Sequence, residues 1–337
     1  MIHRYDRQQR FEPFGIIGQE KLRRARIFIL GAGALGSASS DLLVRAGVGH
    51  ITIVDRDVIE WTNLHRQTLY TEDDVIQQMP KAIAAKQHLE KVNRDVTIHA
   101  HVVDITKHNI EALIEGHDAV LDATDNLETR LLANDCCHKL GIPFFMGACV
   151  GSYGLTFPIG VQEGEPCLHC LLETLPPESA TCDTVGVISP IVTTVAARQT
   201  AQLLKWLREG ILTPKLQSTN LWTDEHASIR ATALRKQNCP CCGTRSYPYL
   251  HAGRETDGAV LCGRETVQLF MPKQRTLELK QLQTLGERLQ APTVVNPFLV
   301  SIEWEEYRVV FFKDRRIFVH GTNDIAKARA VVANMIG

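Results

Sequence analysis

From residue 26 to about 160 the chain alternates short apolar runs with segments whose apolar positions recur every three or four residues. The runs predict strands at 26–30, 50–55, 97–103, 118–122 and 143–147, and the periodic segments predict helices at 34–46, 80–93, 108–115 and 127–140. Such alternation builds a mainly parallel sheet with helices on both faces, the doubly wound, Rossmann-like α/β class. Residues 154–161 read as a further strand. A long helix is expected at 190–209, opened by Pro190 and closed by Gly210, and one or two closing strands at 217–234. After Cys239-Pro-Cys-Cys-Gly243 the texture changes. Strand-like runs at 258–262, 266–271, 297–304, 307–313 and 316–320 surround an amphipathic segment at 276–289, Asp314-Arg315 marks a hairpin turn, and a last helix is expected at 324–335. The expected organisation is a main domain over 1–245 and a small α+β domain over 246–337, the latter with a structural or interaction role.

The first predicted strand runs into Gly31-Ala-Gly33-Ala34-Leu-Gly36, and the second ends on Asp55. This is a nucleotide pocket: Gly31 for the tight turn, Gly33 for close backbone approach to phosphate, Gly36 for helix–strand packing, and Asp55 for the ribose hydroxyls. The free N–H groups of the following helix point at the anion. Alone, the turn suits NAD. The stretch Asp55-Arg-Asp57-Val-Ile-Glu-Trp-Thr62-Asn63-Leu64-His65-Arg66-Gln67 changes that. A dehydrogenase has no evident need of Asn63 and Arg66 there, whereas an enzyme that cuts ATP has. Arg66 suits bidentate pairing with phosphate oxygens, and Asn63 suits a hydrogen bond to the triphosphate or ribose. Pro80 opens a helix, so Lys81 projects from a helix N-terminus, where cations are disfavoured unless an anion answers them. Asp125, beyond the carboxyl end of the 118–122 strand, lies in the ligand crevice of such sheets. It suits a Mg²⁺ ion bridging phosphate oxygens, or a cap for the next helix.

Composition narrows the field further. Apolar residues make 44% and charged residues 22%, as in ordinary globular proteins, and the net charge of −1 gives no global pull toward nucleic acid or anionic membrane. The start Met1-Ile-His-Arg-Tyr-Asp has no signal-peptide character and no apolar run reaches a membrane span, so a cytoplasmic protein is expected. Ten cysteines then call for a metal rather than disulfides. Cys167-x-x-Cys170 and Cys239-x-x-Cys242 are two knuckles of a closed, structural Zn²⁺ site, with Cys241 an extra candidate and His169 a bystander. Cys136, Cys137, Cys149 and Cys262 read as buried packing. Cys182, in a polar stretch, is either a nucleophile or a non-essential thiol. Arg4-Tyr-Asp-Arg7-Gln-Gln-Arg10 is a surface arm, or else Arg7 reaches a triphosphate in a neighbouring subunit.

Together Arg4-Tyr-x-Arg7-Gln, Gly31-x-Gly33-x-x-Gly36, Asp55-x-Asp57, Asn63-Leu64-x-Arg66-Gln67, Pro80-Lys81, Thr124-Asp125-Asn126 and the paired knuckles resemble the ThiF/MoeB family, bacterial relatives of ubiquitin-activating enzymes. The resemblance covers about residues 3–244. It implies an adenylyltransferase that uses ATP and Mg²⁺ on the C-terminal Gly-Gly carboxylate of a ubiquitin-like sulfur carrier, ThiS or MoaD, in thiamine or molybdenum-cofactor biosynthesis. Carried over, it implies that the backbone of Gly33 and Ala34 and the carboxylate of Asp55 hold adenosine. Thr62 to Arg66 with Lys81 would hold the phosphates, and Asp125 and Asn126 would lie near the metal and reacting centre. Arg7 would cross a homodimer interface to the partner's ATP. Cys182 matches a cysteine that joins the carrier in some members and is dispensable in others. Ala34, where a third glycine is common, and His65, often Gln, are the departures. The segment 246–337 has no counterpart in the minimal members and does not read as a rhodanese domain. Two rivals remain: an NAD-dependent oxidoreductase, resting on the glycine turn and Asp55 alone, and a zinc-stapled, non-catalytic scaffold that binds a ubiquitin-like protein.

Overall fold

The computed structural model describes residues 4–172, 185–251, 258–260, 265–271 and 278–336. The chain forms two compact units, Met1–Val75 with Pro80–Ala252, and Ile76–Met79 with Gly253–Gly337.

The first unit is built on an eight-stranded sheet of order β3-β2-β1-β4-β5-β6-β7-β8. The strands are β1 (Arg26–Leu30), β2 (His50–Val54), β3 (Thr97–His101), β4 (Ala119–Asp122), β5 (Phe144–Val150), β6 (Tyr153–Ile159), β7 (Lys215–Asn220) and β8 (Glu225–Arg230). The first five are parallel, in a register that sets Ile27 against Ile51 on one side and Ala119 on the other. From β6 onward the pairings are antiparallel. The reversal follows from chain length: Gly151-Ser152 joins β5 to β6, and two residues only allow a hairpin, whereas a parallel return needs a dozen or more.

Helices cover both faces. Ile191, Val192, Val195 and Ala196 of the Ser189–Glu209 helix pack on Leu35 and Ala38 of the Ala34–Ala46 helix. On the opposite face Leu131 and Cys136 of the Leu127–Leu140 helix join Phe28, Val120, Phe144 and Phe157 in the larger core. Cys136 and Cys137 are fully buried, and burial pushes the Cys136 thiol up to about 12. Cys149 is half-buried, and Cys262 lies outside the described residues. The expected elements 34–46 and 127–140 appear as the helices Ala34–Ala46 and Leu127–Leu140. The helix Gly15–Arg24 is an addition. It buries only Gly18, Gln19 and Leu22 while Ile16 and Ile17 face solvent, so its apolar positions trace no inward stripe.

The second unit carries a six-stranded sheet, β11-β12-β13-β14-β10-β9, antiparallel at every pairing between described residues. Its strands are β9 (Gly258–Val260), β10 (Thr266–Phe270), β11 (Thr293–Val295), β12 (Leu299–Trp304), β13 (Tyr307–Phe312) and β14 (Arg316–His320). The helices Leu279–Arg288 and Ile325–Ile336 lay Leu282, Leu285, Ala328 and Val331 on one face, against Val267, Val300, Val309, Phe311 and Val319. Arg316, only 1% exposed, is held by Asp314 at 2.6 Å and stacks 4.5 Å from the Phe312 ring centre. No described helix is long and apolar enough to cross a membrane.

Candidate functional site

At the carboxyl ends of β1, β2 and β4 three turns meet. Gly31 has φ +97°, and a Cβ there would lie 2.8 Å from the Ala123 carbonyl oxygen. A Cβ at Gly36 would collide with the Gly31 carbonyl, so both positions admit glycine alone. Gly33 differs: the nearest atom to its Cβ position is Gln67 Nε2, at 3.9 Å, which leaves that face open to the crevice. Asp55 braces the turn. One carboxylate oxygen accepts the Ala32 N–H and the other the Asp57 N–H, both at 2.7 Å. Burial pushes this carboxyl up, against the lowering pull of Lys81.

Lys81 follows Pro80 and opens the Lys81–Val92 helix. Its backbone N–H donates to the Asp57 carbonyl at 2.9 Å, and its ammonium meets the Asp57 carboxylate at 3.1 Å with 2% of the side chain exposed. A buried lysine at a helix N-terminus, against the dipole, is costly without such a partner. Beside it Arg56 pairs with Asp104 at 2.9 Å. Burial opposes the Arg56 charge, but Asp104, Asp57 and Asp125 outweigh it and raise its pKa.

Thr62 and Asn63 fall in the 3₁₀ turn Trp61–Asn63. Asn63 is buried, and its side-chain oxygen accepts the Glu60 N–H at 3.1 Å as half of a capping box. Leu64 and Arg66 are half-buried and His65 is exposed. Arg66 donates to the Thr62 carbonyl at 2.6 Å, which curls its guanidinium over the loop. Gln67 is buried, with an Oε1 that finds no partner among the described residues.

Asp122, fully buried at the end of β4, accepts from the Thr124 N–H and hydroxyl and pairs with Arg130 at 2.6 Å. Arg130 also donates to the carbonyls of Thr124 (2.7 Å) and Gly147 (3.0 Å). Of the two roles open to Asp125, the cap is taken by its neighbour. Asn126 accepts the Thr129 N–H at 2.8 Å to cap the Leu127–Leu140 helix, and Asp125 stands exposed at the crevice. Its carboxylate is of the oxygen-donor type that a divalent cation takes. At the amino end Gln8 is tied to the Ala46 carbonyl and Tyr5 accepts a hydrogen bond from Asn93, while Arg7 between them is exposed. Cys182 lies outside the described residues.

Cys167, Cys170, Cys239 and Cys242 gather their sulfurs within 4.8 Å of one another, all buried. The pairs Cys167–Cys239 and Cys170–Cys242 stand at 3.5 Å. Tetrahedral Zn–S bonds of about 2.3 Å require S···S separations near ~3.8 Å, so the donor set fits a closed Zn²⁺ site. Cys241 stands outside this set: its sulfur accepts from Asn134 Nδ2 at 3.2 Å, and Asn134 Oδ1 accepts the Leu168 N–H. His169 lies 2.8 Å from Asp135 and takes no place among the four sulfurs.

Several supporting residues escape sequence reasoning. The buried Tyr70 hydroxyl donates to the Ala32 carbonyl at 2.6 Å and lies 3.2 Å from that of Lys81. Gln199 Nε2 donates to the carbonyls of Asp122 and Phe145. A signal existed for two others. Arg130 and Asn134 stand three and seven residues past Leu127, on the face of an amphipathic helix that packs inward.

Residues 5–241 match the ThiF family. The sulfur carrier protein ThiS adenylyltransferase of Bacillus subtilis (strain 168) is 48% identical over 337 residues, 100% of either chain. The sulfur carrier protein adenylyltransferase of Thermus thermophilus is 37% identical over 249 residues, 72% of this chain and 91% of its own. The molybdopterin-synthase adenylyltransferase of Escherichia coli (strain K12) is 33% identical over 241 residues, 71% of this chain and 96% of its own. Among solved structures, E. coli MccB with ATP shares the fold, with a TM-score of 0.61 at 23% identity over 72% of this chain and 75% of that one.

Proposed function

Because the chain belongs to the ThiF family, we propose that it adenylates the C-terminal Gly-Gly carboxylate of a ubiquitin-like sulfur carrier, consuming ATP and releasing pyrophosphate. ThiS, and with it thiamine biosynthesis, is the favoured carrier over MoaD. The observation that carries this choice is the end-to-end likeness to a ThiS adenylyltransferase, which includes residues 246–337. The E. coli molybdopterin enzyme matches 71% of the chain.

In this reading the backbone of Gly33 and Ala34 with Asp55 holds the adenosine, Asp55 at the ribose, and the Gly33 N–H at the start of the Ala34–Ala46 helix meets the first phosphate. Asn63, Arg66 and Lys81 take the triphosphate, with Thr62, Leu64 and His65 shaping the loop. An ammonium has three donors, so Lys81 can hold Asp57 and a phosphate oxygen together. The carrier's carboxylate is ionised at neutral pH and needs no general base. It attacks the α-phosphorus in line, a P–O bond forms, and the bond to the leaving pyrophosphate breaks with its electron pair. Catalysis is positioning plus neutralisation of that developing charge by Arg66, Lys81 and Arg7 from the second copy of a homodimer. Asp125 would hold Mg²⁺, which would supply further positive charge against the leaving pyrophosphate, with Asn126 fixing that loop. Zn²⁺ on the four cysteines would staple the knuckles and take no part in chemistry. Cys182 is not needed for adenylation. The second domain has a structural or interaction role, and the reaction belongs in the cytoplasm.

ATP–pyrophosphate exchange tests this with purified protein, Mg²⁺ and either ThiS or MoaD. Exchange that requires ThiS and vanishes when its last glycine is deleted supports the proposal. Exchange with MoaD alone moves the enzyme to the other pathway. NAD raising the melting temperature where ATP does not would favour the oxidoreductase instead, since a ligand that binds the native state stabilises it.

A further inference from the structure

We propose that Tyr70 is a positioning residue for the phosphate site: its hydroxyl holds the Ala32 carbonyl and thereby turns the Gly33 N–H out toward the crevice. In a planar trans peptide the carbonyl of one residue and the N–H of the next point in opposite directions. The Ala32 carbonyl and the Gly33 N–H belong to one such plane, so fixing the first aims the second.

The fixing contact is short and buried. Tyr70, 7% exposed, donates to the Ala32 oxygen at 2.6 Å, and Ala32 itself is 1% exposed. The preceding peptide plane is held as well, because the Ala32 N–H donates to Asp55 at 2.7 Å. Both planes beside Ala32 are thus clamped by side chains from other parts of the chain. The Gly33 N–H, in contrast, donates to no acceptor among the described residues. Gly33 is also the residue before the Ala34–Ala46 helix, so its amide adds to the positive end of the helix dipole. One hydroxyl proton serves one strong bond, so the Lys81 carbonyl at 3.2 Å is the weaker partner. It nonetheless places the hydroxyl between the glycine turn and the first residue of the helix that carries Lys81.

Without the hydroxyl the buried Ala32 carbonyl loses its donor, and the 32–33 peptide is free to rotate. The amide must then be aimed by ATP at the expense of binding energy. The effect falls on ATP-dependent parameters and spares those of the carrier. The inference rests on the ATP reading of the crevice, and its test separates the two.

Tyr70→Phe keeps the ring and removes the hydroxyl. In ATP–pyrophosphate exchange with ThiS, kcat/KM for ATP should fall about 10- to 100-fold, between the loss of one neutral hydrogen bond and that of an oriented anion-hole donor. KM for ThiS should stay within about twofold. On the wild type, the ¹⁵N–¹H resonance of Gly33 should shift strongly downfield when ATP binds, a readout that needs no variant to fold. A wild type that neither exchanges nor is stabilised by ATP defeats the ATP reading, and the inference with it. An active wild type whose Gly33 resonance stays put overturns the role of Tyr70 alone. So does a Tyr70→Phe enzyme with unchanged kcat/KM for ATP, or one that weakens for ATP and ThiS equally.

Discussion

Replacing Arg130 with methionine would expose how the loop bearing Asp125 is held. Asp122 is fully buried, and its one cationic partner among the described residues is Arg130, at 2.6 Å and itself 12% exposed in its side chain. The Arg130→Met variant leaves that carboxylate with the Thr124 N–H and hydroxyl as donors but without a counter-charge. Breaking one side of a buried ion pair costs about 3–5 kcal/mol. In a unit of this size each kcal/mol lowers Tm by about 2–4 °C, so thermal unfolding followed by circular dichroism should show a loss of roughly 6–20 °C. The second variant separates charge from packing. Asp122→Asn keeps an acceptor for the Thr124 N–H and removes the orphaned charge, so Arg130→Met/Asp122→Asn should recover more than half of the loss. A single variant melting within about 2 °C of wild type would refute the reasoning, as would a double variant no more stable than the single one.

Three further outcomes are expected. Lys81→Met should cut ATP–pyrophosphate exchange about 10²–10³-fold and also lower Tm without ATP, because Asp57 loses its ammonium partner at 3.1 Å; near-wild-type rates would remove Lys81 from the site. Metal analysis should find one zinc per chain, lost in Cys170→Ser with a marked drop in Tm, whereas a metal-free chain of equal stability would refute the closed site. Burial pushes the His117 imidazole down, so the unfolded chain takes up the proton first. The contribution of His117 is therefore whole above about pH 6.5 and declines as the pH falls below it. His117→Gln should flatten the stability–pH curve in that acidic window, and an unchanged slope would show that other groups set it.

The fold was legible where local and tertiary forces agree. The Ala34–Ala46 helix follows from its glycine turn and its closing Gly47 at φ +88°, and the parallel core follows from strand–helix alternation. The four-cysteine cluster was legible because the two C-x₂-C spacings mark the sulfurs that the fold gathers. What the sequence hid lies in the long-range polar contacts. Nothing in the letters around Tyr70 says that its hydroxyl meets Ala32, 38 residues away. The position of Asp55 after β2 suits a ribose acceptor, and the structure adds that both its oxygens already brace backbone amides, each with a lone pair to spare. The letters leave Asp125 open to a metal or a cap role, and the helix start gives the cap to Asn126, whose side chain accepts the Thr129 N–H.

The order in which the ribosome releases the chain gives the Ser189–Glu209 helix a further meaning. Every strand end that shapes the crevice has emerged by residue 122, yet Gln199, which bridges the carbonyls of Asp122 and Phe145, arrives 77 residues later. Until then Leu35 and Ala38 lack the apolar cover of Ile191, Val192 and Val195. At about 5–20 residues per second, several seconds separate the emergence of Asp122 from that of Gln199. A chain stalled before residue 190 would thus present a sticky face rather than a working site, a natural handle for chaperone capture during synthesis.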